Sequence, residues 1–576
     1  MSPNDASRWM GNFPHPPGDH ATAATLPRVI AIRSMPFALA ALAALAPAQD
    51  DRQTSGGALI PEQACYDVQH YRLAIRVDPE KRSIAGTLTM TAEVVAETSR
   101  IALDLDKALE ATRITARDRE STGRRDGLRL FVDLAEPAKV GETLVVDVDY
   151  GGTPRVAPMP PWKGGFTWAE TADGSPWIAT SCQGEGADLW WPCKDHPSDE
   201  PETMDLFVTV PDGLVCASNG TLAGTRPVPG GREFHWSIAN PISNYTVALN
   251  IAPYEVIEDT YECVDGTELP VYFWVLPENR KKAEIFLPEF LDHLRHLETV
   301  CGPYPFRNEK YGIVETPHLG MEHQTIIAYG NKYVRQAFDY DWLHHHELSH
   351  EWWANLVTAR DWKDMWIHEG IGTYMQALYI ERKFGEKAYH TEMQIKRRGL
   401  VNKVAVAPRE VTDSQGIYFS GSGNDIYYKG SWICHTLRFL LGDETFFRVL
   451  RRWAYPEPEL EKVTDGSQTR FSDTEEIRAI AERIAERDLG WFFAVYLRQP
   501  KLPRLTARVQ DDLLVLAWET PEDLPFPMPV PVRIDGEMRR VEMPERGEVE
   551  VQVGNAAFEV DPDDWLLKRF RGTRSR

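Results

Sequence analysis

The chain has 576 residues, 43% of them hydrophobic, with 18 tryptophans, enough apolar material for about three packed domains at ~150 residues each. Its formal charge of −23 and pI near 5.2 exclude the basic footprint that nucleic-acid binding requires. The composition is that of a folded globular protein rather than a disordered one.

Near the amino terminus, Arg28 and Arg33 precede an apolar run from Pro36 to Ala46, and Ala46-Pro47-Ala48 supplies small residues around a cleavage point. This reads as an amino-terminal extension with a secretory signal peptide over 1–48, so the expected location is exported, periplasmic or secreted. The run is too short to span a bilayer, and no transmembrane anchor is expected. Translation starting near Val29 or Met35 would account for the unpatterned, Pro-rich residues before it. Seven scattered cysteines contain no C-x-x-C pair, which argues against a structural zinc knuckle. In an exported chain, Cys182 and Cys193 could pair.

From 58 to 252 the pattern is strand after strand. Tyr71 to Val77, Thr87 to Val94 and Leu144 to Tyr150 alternate with period two, predicting a large antiparallel β domain. From 253 to 500 helical patterns dominate, including Lys281 to Val300, Ile367 to Phe384 with Gly385 as terminator, and Ser431 to Leu441. Beyond 501, to about 570, short strands return, with Asp535-Gly536 as a hairpin turn between them.

The helical region contains His346-Glu347-Leu348-Ser349-His350. On an α-helix, positions i and i+4 share a face, so two imidazoles at this spacing converge on one metal ion, while Glu347 is turned about 100° from His346. A hydrolytic zinc site takes three protein ligands and keeps one position open, so a third ligand is needed. Glu369, in the first turn of the next predicted helix, is the candidate. His344, His345 and His318 are read as structural, because no glutamate follows His344 or His345 and nothing assigns His318 a task.

The segment HELSHEWWANLVTARDWKDMWIHEGIGTY resembles the zinc-binding core of the gluzincin aminopeptidases related to aminopeptidase N and leukotriene-A hydrolase, down to the 18 residues between His350 and Glu369. Leu319-Gly320-Met321-Glu322-His323 is similar to that family's G-x-M-E-N exopeptidase motif, with Leu319 and His323 departing from it. Tyr427-Tyr428-Lys429-Gly430 is similar to its Y-x-K-G element. Gln183 and Pro192-Cys193-Lys194-Asp195 are similar to its amino-terminal Q…P-C-x-D stretch.

The resemblance spans roughly residues 60 to 500. It implies an α+β multidomain protein: an antiparallel β saddle, a thermolysin-like and mostly helical catalytic domain, and a small carboxy-terminal β sandwich. It implies one Zn²⁺ per chain on His346, His350 and Glu369, and a zinc-bound water activated by Glu347. Tyr427 stabilises the tetrahedral intermediate, with Tyr428 as its rival. Glu322 binds the substrate α-amine, aided by Gln183, with Gly320 and Met321 lining the site. The implied partners are peptides with a free amino terminus. Larger relatives enclose the site with a helical domain, so a more open cleft is expected here. A zinc endopeptidase, an epoxide hydrolase of the same fold and a non-catalytic scaffold are the rival readings. His323 and His368, each standing where the family carries Asn, leave the surroundings of the site open, and the oligomeric state is likewise undetermined.

Overall fold

The strand Tyr66–Asp78 buries Tyr71, Leu73, Ile75 and Val77 and turns Arg72 and Arg76 to solvent, the period-two pattern of a strand with one wet face. The computed structural model describes residues 54–335 and 337–575, so the signal-peptide reading over 1–48 lies outside the described residues. Tyr66–Asp78 sits inside an eight-stranded sheet, between Ser83–Val94 and Thr203–Val210. Its pairing with Ser83–Val94 is antiparallel, but with Thr203–Val210 it is parallel, from His70↔Thr203 to Arg76↔Thr209. The expected antiparallel domain is antiparallel in its other strand pairs and departs from that expectation at this one. More than a hundred residues separate these two strands, so no hairpin dictates their relative direction.

A second, four-stranded sheet carries Pro176–Ser181 between Gly165–Glu170 and Asn250–Ala252. The residues that follow Ser181, beginning with Cys182 and Gln183, leave this sheet toward the helical region. The core beneath these sheets does not stop at their edge. It continues through Trp274, Leu276, Val314, Met321, Ile326 and Ala328, which belong to a five-stranded mixed sheet ordered Glu255–Glu262, Glu268–Val275, Tyr311–Glu315, Ile327–Tyr329, Gly320–Met321 and to its connections. Gly320–Met321 is the edge strand of that sheet.

Helix Arg280–Cys301 buries Ala283, Phe286, Leu287, Phe290, Leu294 and Leu297 along one stripe and ends at Gly302, whose φ of 107° suits glycine. Trp342–Ser349 and Trp366–Phe384 pack against it, and Asp425–Leu441 packs on Trp366–Phe384. Asp425–Leu441 begins six residues earlier than periodicity predicts, because the polar stretch before Ser431 packs as a first turn and a half, with Asp425 and Ile426 buried. Past 500, strands Arg504–Gln510 and Leu513–Glu519 belong to one small sheet and Val530–Ile534 and Glu537–Val541 to another. The Asp535-Gly536 turn has φ of 48° and 85° and joins Ile534 directly to Glu537, the two-residue hairpin its sequence predicts. Leu505, Leu516, Val532 and Phe558 share one continuous core with these helices. All seven cysteines are buried, free thiols, Cys182 and Cys193 included. Among the described residues no helix is long and apolar enough to cross a membrane.

Candidate metal centre

Asp341 starts the helix Trp342–Ser349 by accepting a hydrogen bond from the His344 amide at 3.1 Å, and its own carboxylate takes the Tyr329 hydroxyl at 2.5 Å. Three consecutive histidines then divide between two faces. His344 stacks on Phe290 at 3.7 Å and contacts the His293 ring and the Tyr311 hydroxyl, while His345 packs against Tyr379 at 4.9 Å. Both are core residues, in line with their structural reading. His346 turns to the other face, where its ring meets that of His350, which caps the helix end.

Three atoms meet there. His346 Nε2 and His350 Nε2 are 3.3 Å apart, and each is 3.5 Å from Glu369 Oε2. A tetrahedral zinc with bonds of about 2.0–2.1 Å places its ligand atoms about 3.3–3.4 Å apart, so the triangle is the size of a zinc site. Two further observations fit the ion. Glu369 Oε2 is buried and has no hydrogen-bond partner, and the His350 Nδ1 hydrogen is spent on the Trp353 carbonyl at 3.0 Å, which leaves Nε2 with a lone pair toward the centre. Among the described residues this is the group of His, Cys, Asp or Glu side chains close enough to hold a metal.

Glu369 lies in the first turn of Trp366–Phe384. Its other oxygen, Oε1, accepts the Tyr418 hydroxyl at 2.9 Å and the Gln183 amide at 3.0 Å. The same Gln183 nitrogen donates to Glu322 Oε1 at 2.5 Å, and Tyr245 donates to that oxygen at 3.1 Å. Tyr418 and Tyr245 are site residues that the sequence reading missed. Neither sits in a patterned motif, and only the fold brings them to these carboxylates.

Two glycines make the approach possible. Helices Trp366–Phe384 and Asp425–Leu441 cross at Gly370 and Gly430, where a Cβ on either would lie 2.8 or 2.6 Å from the other's Cα. That backbone contact brings Tyr427, one turn before Gly430, beside Glu369, one residue before Gly370. The Tyr427 ring is 6.1 Å from that of His346. Tyr428 is turned away, lying over Gly399 with the Lys396 ammonium 5.7 Å from its ring. Of the two tyrosines, Tyr427 is the one whose ring faces His346.

Glu347 projects toward the edge strand, where a Cβ on Gly320 would come within 2.5 Å of its Oε1. Met321, next along the strand, points the other way into the core. Burial, reinforced by the charges of Glu322 and Glu369, pushes the Glu347 carboxyl well above its usual range. Burial likewise raises Glu322 to about 7. Glu369 runs the other way: burial would raise it, but the imidazoles of His346 and His350 against its carboxylate hold it at about 2. Three buried carboxylates around one small volume call for cations, and a divalent metal is the first. His323 is wholly buried, without a hydrogen-bond partner for either ring nitrogen, and burial holds it neutral. His368 accepts the Ala359 amide at 2.9 Å and so ties the helix start to the strand before it.

Two family models match the chain, the peptidase M1 N-terminal domain over residues 67–246 and the peptidase family M1 domain over 307–456, together more than half of its length. The chain belongs to peptidase family M1. It is 24% identical over 433 residues to leucine aminopeptidase 2 of Neurospora crassa, covering 70% of this chain and 61% of that protein. Against leukotriene A-4 hydrolase of Xenopus laevis it is 23% identical over 343 residues, 56% of this chain and 53% of the relative. The chain thus spans less than two thirds of the length of these relatives. The fold is similar to the crystal structure of an M1 zinc metallopeptidase from Deinococcus radiodurans, with a TM-score of 0.62 and 22% identity over 76% of this chain and 94% of that one.

The Gly370–Gly430 contact generates a test. Gly430→Ala puts a methyl into the facing backbone, so a loss of at least ~1–3 kcal/mol is expected in chemical denaturation, with weakened zinc retention on dialysis, whereas wild-type stability would show that the helices can part without cost.

Proposed function

We propose that the chain is a zinc-dependent aminopeptidase that removes amino-terminal residues from peptides. The observation that carries this reading is the continuity of two sites. The three ligand atoms share Glu369 with a second carboxylate, Glu322, through one amide, Gln183. A metallohydrolase needs the first; only an enzyme that recognises a charged terminus has use for the second. A variant of the Deinococcus radiodurans M1 zinc metallopeptidase has been crystallised bound to the substrate Tyr-Ser-Ala, a short peptide, which supports the substrate class.

Zinc bound to His346, His350 and Glu369 supplies Lewis acidity toward water and toward the scissile carbonyl. Glu347 acts as general base and acid: its carboxylate, raised by burial and by Glu322 and Glu369, takes the proton of the attacking water and passes it to the departing amine. Tyr427 donates its hydroxyl to the oxyanion as the carbonyl becomes tetrahedral. Its proton is held firmly by burial and by the charges of Glu369, Glu322 and Glu347, which keeps it a donor.

Glu322 receives the protonated α-amine. Burial has raised it to about 7, and an ammonium ion arriving within a few ångströms stabilises the ionised form, so amine binding and carboxylate ionisation reinforce each other. Gln183 and Tyr245 fix which way the carboxylate faces. The edge strand Gly320–Met321, hydrogen-bonded to Ile327–Tyr329 on one side only, supports extended peptide backbone on the other. The β-sheet lobe then acts as the saddle, the zinc helices as the thermolysin-like domain and the last two sheets as the sandwich. The signal-like segment makes the enzyme an exported one.

Three outcomes are expected. Glu347→Gln keeps zinc and loses about 10²–10⁴-fold in kcat, and activity at the parent level would remove Glu347 as the base. Tyr427→Phe lowers kcat about 10²–10³-fold without emptying the site while Tyr428→Phe leaves it near the parent value; the reverse result would transfer the role to Tyr428. With matched free and acetylated peptides, the parent hydrolyses only the free one, chelator-sensitively, and Glu322→Ala loses that preference; internal cleavage of both by the parent would make it an endopeptidase.

A further inference from the structure

The zinc ligand Glu369 is oriented by Tyr418 and Gln183, which come from different parts of the chain, and a single buried hydroxyl joins the two. Tyr418 ends the short helix Ser414–Tyr418, which Asp413 starts by accepting the Gly416 amide at 2.9 Å. At the helix's first residue, Ser414 Oγ donates to the carbonyl of Gly184, the residue after Gln183, at 2.7 Å. The same oxygen accepts the Ser55 amide at 3.2 Å and lies 3.3 Å from the Thr54 hydroxyl. Ser414 is fully buried and Ser55 nearly so.

The segment Thr54–Gly56 therefore closes over this junction as a strap. Besides the Ser55–Ser414 pair, which is completed by the Ser414 amide donating to the Ser55 carbonyl at 3.1 Å, Gly56 bridges to Asp413 and its amide reaches the Asp195 carbonyl at 3.4 Å. Gly56 also lies flat on the Trp362 indole: a Cβ there would stand 2.4 Å from Trp362 Cδ1. Trp362 in turn packs edge-on against the Tyr418 ring at 5.8 Å and against Tyr245, the partner of Glu322, at 6.4 Å. Strap, indole and serine thus press on both tyrosines and on the backbone beside Gln183.

We propose that Ser414, locked by the Thr54–Gly56 strap, is a positioning residue that sets the hydrogen bonds of Tyr418 and Gln183 to Glu369 and thereby the geometry of the metal and amine sites. The strap carries no group to the substrate; it acts through what it holds. The kinetic part of this inference rests on the aminopeptidase reading, while the metal part does not.

The test uses the full-length, zinc-loaded protein and its Ser414→Ala, Gly56→Ala and Gly57→Ala variants. Gly57 has a φ of 87°, like the 77° of Gly56, but a Cβ on it meets only the Asp413 side chain at 3.8 Å, so Gly57→Ala controls for backbone strain without displacing Trp362. Zinc affinity is measured by competition with a chelating dye, alongside kcat and KM on a free-amine peptide and the melting temperature. Groups that orient metal ligands carry ~10–100-fold in affinity or activity, so Ser414→Ala and Gly56→Ala are expected to weaken zinc about tenfold and to lower kcat about as much, with melting temperatures no lower than that of Gly57→Ala. Zinc affinity and kcat at the Gly57→Ala level in both variants would overturn the proposal, as would losses that merely track a fall in melting temperature. If Ser414→Ala does not fold, Gly56→Ala decides alone. A parent protein that binds zinc but releases no amino acid, with the affinity loss still present in the variants, would keep the strap and remove the peptidase reading instead.

Discussion

The carboxylate of Glu369 has two oxygens with separate duties, and the centre depends on that division. One is fixed by Tyr418 and Gln183, so the other, bare of hydrogen bonds and buried, is left facing two imidazole nitrogens. Leaving a buried acceptor unsatisfied costs about 1–3 kcal/mol, more if it is charged, and a cation at the triangle's centre removes that cost. Gln183 comes from the end of a sheet strand, Tyr418 from a short helix and Glu369 from a long one. The site therefore exists only when the β lobe and the helices are docked together.

Docking of this kind requires backbones to come closer than side chains allow. Gly370 and Gly430 let two helices touch at their Cα atoms, and Gly372 leaves room for Ser349 and the His350 ring where the metal helix ends. Gly320 clears the space that Glu347 occupies. Each glycine lies next to or within one turn of a polar site residue, so the close approach and the chemistry are specified by the same short stretches. The continuous cores on either side, one running from the β lobe into the five-stranded sheet and the other joining the helices to the last strands, give those approaches a rigid frame.

Local pattern carried the metal motif well. His346 and His350 share a face because of helical periodicity, and Glu369 falls in the first turn of the following helix as its spacing implies. The hairpin at Asp535-Gly536 was legible for a similar reason, since both residues tolerate the left-handed backbone that a two-residue turn demands. Tyr418 and Tyr245 were not legible. A tyrosine near a helix or a loop has no periodic signature, and its partner lies 49 residues away in one case and 77 in the other. The parallel pairing of Tyr66–Asp78 with Thr203–Val210 was hidden for the same reason.

What the sequence determined by itself, then, was whatever depends on residues a few positions apart: the two-histidine face, the alternation of the strands, the helix terminators and the family to which these motifs belong. The tertiary structure decided which of two adjacent tyrosines faces His346, that His344, His345 and the Met321 side chain belong to the core, and that Glu369, Gln183 and Glu322 form one hydrogen-bonded unit. Spacing along a helix is fixed by covalent geometry and so can be read directly. The meeting of distant segments is fixed by packing, through burial and close backbone approach, and no short window of sequence records it.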